Sequence, residues 1–175
     1  MPPPPESSPR IVEMFTDGAC ESNPGRGGWA TLLRWDKREK MLSGGFARTT
    51  NNRMELTAVI EGLKALQRPG LKVRVVSDSK YVTEPVTQRW LEKWAAKQFR
   101  KAGGLRDNAD LWIELRRLLA LHDVTFEWIK GHAGHPENEN CDELAVLARA
   151  QPNLPRDEGY EAPANAAVTN GLSLL

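Results

Sequence analysis

Short apolar runs punctuate the first half of the chain: Ile11–Thr16, Trp29–Trp35 and Lys40–Phe46, separated by connections that contain glycine. Runs of this length, rich in β-branched and aromatic residues, predict three consecutive strands joined as hairpins. The Asn, Pro and Gly of ESNPGRGG make the first connection a loop. The spacing then changes. From Arg53 to about Gln67 a helical period takes over, with Val59, Leu63 and Leu66 on its buried stripe, Asn52 or a neighbour as its cap, and Pro69 and Gly70 as its end. Lys72–Ser77 and Val124–Ile129 predict two further strands, and the sequence between them is helical and rich in tryptophan. A last helix is expected from about Cys141 to Ala150. A strand reached through a helical crossover runs parallel to its neighbour. The order βββαβ, helices, βα therefore predicts an α/β fold, a mixed five-stranded sheet flanked by helices.

The ends break this pattern. Residues 1–10 are a proline-rich leader and are expected to be disordered, because proline neither donates to a ladder nor sits inside a helix. Residues 11–150 form the expected single domain, and 151–175 a flexible tail without sustained period. No apolar run reaches the roughly 18 residues of a membrane span. The N-terminus also lacks the charged-then-apolar order of a secretion signal. With only Cys20 and Cys141, a disulfide framework is not expected. The expectation is a cytoplasmic monomer with reduced thiols.

Charge adds more than its sum suggests. The formal net charge is +1, yet Arg89–Arg106 carries six basic side chains against Glu92 alone, a net +5, whereas Gly134–Leu175 has a net charge of −5. Such segregation suits a binder of polyanions that also holds cations. The acids fall in distinctive contexts: Asp17 in FTDGAC, Glu55 in TTNNRMEL, Asp78 in VVSDS and Asp142 in ENENCDELA. On parallel neighbouring strands Asp17 and Asp78, each just after a β run, emerge at the same sheet edge. Glu55 shares the inward face with Val59 and Leu63, and an acid facing a core needs a partner. Two unit charges about 4 Å apart repel by roughly 4 kcal/mol at an effective dielectric near 20, so four carboxylates in one pocket call for a cation. Oxygen ligands select Mg²⁺ or Mn²⁺, and a pair of such ions suits phosphodiester hydrolysis.

At this point the strings FTDGAC, NPGRGGWA, RTTNNRMEL, SDSKYV, TQRWLEKW, NADLW and WIKGHAGHPENENCDELA, which run in order over about residues 11–150, resemble the type 1 ribonucleases H of bacteria. The resemblance implies the ribonuclease H-like fold and an endoribonuclease that cleaves the RNA strand of RNA/DNA hybrids, leaving 5′-phosphate and 3′-hydroxyl ends. It implies two Mg²⁺ ions, with Mn²⁺ a possible substitute, held by Asp17, Glu55, Asp78 and Asp142. In that assignment Asp17 bridges both ions, Glu55 and Asp78 serve one and Asp142 the other. His132 matches a histidine that assists proton transfer or product release, roles that an imidazole suits. Asn23, Asn51 and Asn52 match positions that meet the minor groove and the RNA 2′-hydroxyls, groups that both donate and accept. Arg48, Thr50 and Asn108 match a pocket for a DNA phosphate. Trp90, with Lys93 and Lys97 beside it, matches a basic handle that grips the DNA strand.

Lys80 stands where many relatives carry a glutamine that meets the minor groove, and Ala19 replaces a common serine. The tail beyond Gly159 has no clear counterpart. Some residues keep bland readings. His132, His135 and Cys141 together contain zinc-type ligands, but no second close pair completes such a site. Trp112 and Trp128 lie among apolar residues and are expected in the core. Trp90 and Trp94 either stack on sugars or close their helix onto the domain. Other function classes also use these features: a DNA strand-transferase or resolvase shares the carboxylate cluster, and a hybrid-binding module without catalysis needs only the basic helix.

Overall fold

The fold is that of a computed structural model that describes residues 10–162. Strands β1 (Ile11–Cys20), β2 (Gly25–Trp35) and β3 (Arg38–Thr49) form an antiparallel meander, followed by α1 (Asn51–Lys64) and β4 (Lys72–Ser77). Helices α2 (Lys80–Thr87) and α3 (Trp90–Ala96) lead to a two-stranded hairpin, β5 (Arg100–Lys101) and β6 (Gly104–Leu105). Then come α4 (Ala109–Leu119), β7 (Asp123–Trp128), α5 (Pro136–Arg149) and the short α6 (Glu158–Glu161). The main sheet has the order β3-β2-β1-β4-β7, with β1, β4 and β7 mutually parallel. This is the mixed five-stranded α/β sheet that the pattern predicts.

Strand alternation divides the core. Val12 and Met14 of β1, Leu33 of β2 and Val73 and Val75 of β4 face one side, where they meet Leu56, Val59, Ile60 and Leu63 of α1 and Trp112 and Leu115 of α4. Their neighbours Phe15, Leu32 and Val76 face the other side and pack with Cys141 and Ala145 of α5. Burial of both faces shows in the adjacent apolar pairs Met14–Phe15 of β1 and Val75–Val76 of β4, whose members face opposite sides.

Several boundaries move. β1 continues past Thr16 to Cys20, because Asp17, Gly18, Ala19 and Cys20 pair with Ala30, Trp29, Gly28 and Gly27 of β2. Tertiary pairing thus overrides the turn-forming character of DGAC, and Asp17 lies inside a strand rather than after it. The cap of α1 is Thr50, whose side chain accepts from the Arg53 N–H at 3.3 Å. α5 begins at Pro136, not near Cys141, with the proline in the first turn where its missing N–H costs nothing. Trp112 is fully buried as expected, but Trp128 is 44% exposed. It ends β7, the edge strand, where only one neighbour covers it.

Residues 151–162, expected as the start of a flexible tail, are docked. Ala47 N–H donates to the Pro155 carbonyl at 2.9 Å. Buried Asp157 accepts from Thr49 Oγ1 (2.6 Å) and from Arg53 Nε (2.8 Å), while Arg53 also holds Asp110 at 2.7 Å. A buried guanidinium requires such partners, and one of them, Asp157, comes from the far end of the described chain. At the other end Arg10 lies over the Trp35 ring at 5.6 Å, so it belongs to the domain and not to the leader. The remainder of the expected leader, residues 1–9, and of the tail, residues 163–175, lies outside the described residues.

Candidate active site

The parallel register sets Phe15 of β1 opposite Val76 of β4. Two residues further along each chain, Asp17 and Asp78 emerge together at the carboxyl edge of the sheet, where open α/β sheets place ligands. Glu55 reaches them from α1 through an unusually close approach. A Cβ on Gly18 would lie 2.6 Å from the Glu55 nitrogen and 2.8 Å from the Met54 carbonyl carbon. Only glycine lets the helix backbone come so near the strand. The Gly18 N–H also donates to Asp17 Oδ1 at 2.9 Å and so orients that carboxylate. Gly131 plays the matching part across the cleft, since a Cβ there would lie 2.5 Å from Asp78 Oδ2.

Asp17, Glu55 and Asp78 each offer an oxygen, and the three oxygens lie within 4.8 Å of one another. Burial pushes Asp17 up to about 7, with repulsion from Asp78 and Asp142 adding, while hydrogen bonds with Glu55 and Gly18 hold it back. Burial, then the charges of Asp17 and Asp78, raises Glu55 well above the usual carboxylate range. Asp78 is raised chiefly by burial; its own backbone N–H and the facing His132 oppose the shift. Glu55 Oε2 is buried without a hydrogen-bond partner. An orphaned oxygen among crowded acids that resist ionisation fits the donor set of a hard divalent cation.

Asp142 stands outside that tight trio. It projects from α5 and lines a small cavity, about 10 Å³, with Asp17, Asp78, His132, His135 and Asn138. His132 is exposed, at φ 53° in the loop before α5. Cys141 does not join these histidines as a metal ligand. It is fully buried, its Sγ donates to the Phe15 carbonyl at 3.3 Å, and burial pushes its thiol up to about 12.

A larger hollow of about 520 Å³ opens beside the cleft, and four of the expected substrate-binding residues line it: Asn23, Thr50, Asn52 and Asn108. Asn51 is tied to the same corner, its N–H donating to Asn23 Oδ1 at 3.1 Å. Asn108 is held in the left-handed conformation at φ 59°, with Nδ2 donating to the Tyr81 hydroxyl at 2.9 Å. Arg48, on β3, is exposed and outside that hollow, and Lys80 is exposed at the start of α2. Trp90 (39% exposed) and Lys93 on α3 and Lys97 just after it are exposed and line neither cavity. Trp94 turns inward, edge-on to Trp112 at 5.3 Å and covered by the Arg106 guanidinium at 4.1 Å.

Sequence reasoning passed over Tyr81 and Arg106 as walls of the hollow, and over Asn138 in the cleft. Both side-chain amide atoms of Asn138 are buried without partners. A signal for it existed. With α5 started at Pro136, Asn138 falls four residues before Asp142, on the same helix face.

Residues 9–150 match the family described as RNase H. The chain is 50% identical over 152 residues to a ribonuclease H of Nitratidesulfovibrio vulgaris, covering 86% of this chain and 97% of that one. It is 50% identical over 155 residues to the ribonuclease H of Rippkaea orientalis (88% and 94%). It is also 51% identical over 150 residues to that of Photorhabdus luminescens (85% and 94%). Among solved structures, LC9-RNase H1, a type 1 RNase H with the type 2 active-site motif, superposes with a TM-score of 0.74 at 30% identity, over 94% of this chain and 86% of that one. At 19% identity LC11-RNase H1, crystallised in complex with an RNA/DNA hybrid, shares the fold with a TM-score of 0.62 over 78% of this chain and 95% of that one. The chain belongs to the ribonuclease H family and so to the hydrolytic nucleases.

Proposed function

We propose that the protein is a metal-dependent endoribonuclease that hydrolyses the RNA strand of RNA/DNA hybrids and leaves 5′-phosphate and 3′-hydroxyl ends. The observation that carries the reading is the trio of Asp17, Glu55 and Asp78 oxygens within 4.8 Å, with Asp142 and His132 lining the adjoining cavity. Asp17, Glu55, Asp78 and Asp142 would hold two Mg²⁺ ions. When bound, such ions neutralise the phosphodiester and make water a stronger nucleophile at neutral pH. The chain itself does the rest. Glu55 and Asp17 keep the carboxylates crowded and ready for cations, and His132, on its exposed loop, moves a proton at the leaving oxygen or assists release. Asn23, Asn51 and Asn52 carry amides that satisfy a 2′-hydroxyl as donor and acceptor together, which deoxyribose does not offer. Thr50, Asn108 and nearby Arg48 receive a phosphate of the DNA strand, and Trp90, Lys93 and Lys97 hold that strand further along.

These contacts address backbone and sugar, so cleavage shows little sequence preference. The hybrid carried by LC11-RNase H1, on the same fold, supports the substrate class. We place the protein in the cytoplasm, as a monomer. Incubating the protein with labelled RNA/DNA hybrid and with duplex DNA, each with and without Mg²⁺, tests the reading. Mg²⁺-dependent shortening of the RNA strand alone is expected. Cutting or joining of duplex DNA would favour a strand-transferase, and hybrid binding without cleavage would favour a non-catalytic binding module.

A further inference from the structure

Nothing in the packing calls for a tryptophan at position 128. The residue is the last of the edge strand, paired with Ser77, and nearly half exposed. Its indole N–H nevertheless has a fixed partner, the backbone carbonyl of Asp78 at 2.9 Å. On the ring sits a charge. Lys80, two residues after Asp78, holds its Nζ 4.8 Å from the indole centre. The lysine makes no ion pair among the described residues, although eight other basic side chains do. The ammonium is therefore turned from the carboxylates onto the indole, which leaves it exposed at the rim of the cleft.

A surface cation–π contact of this kind contributes little to stability, and holding a long lysine in one place costs side-chain entropy. The arrangement makes more sense as preorganisation for an anion. An ammonium accepts nothing, so it cannot satisfy a 2′-hydroxyl in the way an amide does; it meets phosphate as a point charge. We propose that Lys80, steadied by Trp128, contacts a phosphate of the strand being cut next to the scissile bond, and that Trp128 is a positioning residue that also fixes the Asp78 backbone. The inference rests on the hybrid-cleaving function proposed above. It assigns Lys80 to the backbone rather than the groove, and gives Trp128 a part in the site.

The test combines two measurements on the full chain. Hybrid affinity is read by fluorescence anisotropy across a KCl series with Ca²⁺ in place of Mg²⁺, and steady-state cleavage is followed as Mg²⁺ is titrated. For Lys80→Gln we expect hybrid affinity to fall by about 3- to 10-fold at low salt. The slope of log affinity against log salt becomes shallower by roughly 0.7 to 0.9, one phosphate contact, and the loss falls on KM rather than kcat. Lys80→Arg retains the slope. Trp128→Phe keeps a ring under the ammonium but loses the N–H, so the slope stays while the Mg²⁺ concentration for half-maximal rate rises several-fold. Melting curves establish that each variant is folded. An unchanged slope in Lys80→Gln, or an unchanged Mg²⁺ requirement in Trp128→Phe, overturns the corresponding half of the proposal. A wild-type protein that neither binds nor cuts the hybrid would instead defeat the functional reading itself, and this inference with it.

Discussion

The carboxylate cleft and the basic segment face the same substrate in the proposed function, but they are built on opposite principles. In the cleft, Asp17 and Glu55 are buried, three acids crowd within 4.8 Å, and Gly18 is needed so that strand and helix backbones can approach. The fold bears an electrostatic cost there before any ligand arrives. Along α3 and the β5–β6 hairpin, by contrast, Lys93, Lys97, Arg100 and Lys101 stand in solvent, and only Lys101 has an ion-pair partner among the described residues, Asp107 at 3.5 Å. Solvated charges on flexible stems cost the fold almost nothing and act through long-range, salt-screened attraction. In the proposed function, chemistry thus falls to a strained, preorganised region and affinity to a relaxed one.

The largest effect should come from the strained side. Asp17→Asn is expected to abolish cleavage, and a gel assay at saturating Mg²⁺ that found more than about a tenth of the wild-type rate would sink its place as bridging ligand. The same substitution should leave the metal-free fold at least as stable, because it removes one of the mutually repelling acids. Next, His132→Ala should slow turnover by roughly 10- to 1000-fold. Calorimetry should find Mg²⁺ binding intact; a loss matching that of Asp17→Asn would make His132 a ligand.

On the relaxed side, replacing Lys93, Lys97, Arg100 and Lys101 together by Ala should raise KM and leave kcat nearly unchanged. The salt slope of hybrid binding should become shallower by roughly two to four units, since each neutralised phosphate contributes about 0.9 on a B-like duplex. An unchanged slope would reduce the segment to a solvated face and erase the contrast. The smallest effect concerns pH. A carboxyl raised from 3.8 to about 7 in the folded state binds its proton more tightly there than in the unfolded chain. Its contribution therefore favours the metal-free fold below about pH 4, declines between about pH 4 and 7, and is fully lost above that. Denaturant melts of the wild type against Asp17→Asn should diverge across that window, and Mg²⁺ should stabilise the wild type most at its upper end. Parallel curves would mean that the cleft is not under electrostatic tension.

The sequence carried these two regions unequally. The sheet was legible, and so was the meeting of three acids: β runs brought Asp17 and Asp78 to one sheet edge and helical period turned Glu55 inward, whereas Asp142 stood out only by the resemblance of its string. What escaped was non-local. The first strand looks finished at Thr16 until β2 pairs with Asp17–Cys20, and Trp128 looks like core until β7 is known to lie at the sheet edge. Asn138 was lost when the polar ENEN stretch hid the true start of α5 at Pro136. Arg53 gave no hint that its counter-charge stood 104 residues away at Asp157.

That last distance has a consequence for how the chain is made. Synthesis runs from the amino end, so every residue of the sheet and α1 is made before the one that neutralises Arg53. A nascent chain that ends at Ala150 carries every described strand, every cleft acid and a buried guanidinium answered by Asp110 and the Asn108 amide, with Asp110 its one counter-charge among the described residues. Full closure waits for Asp157, and with it the wall that Gly159 and Tyr160 give to the hollow beside the cleft. The last described dozen residues thus complete the Arg53 site that the rest of the described chain leaves half-answered.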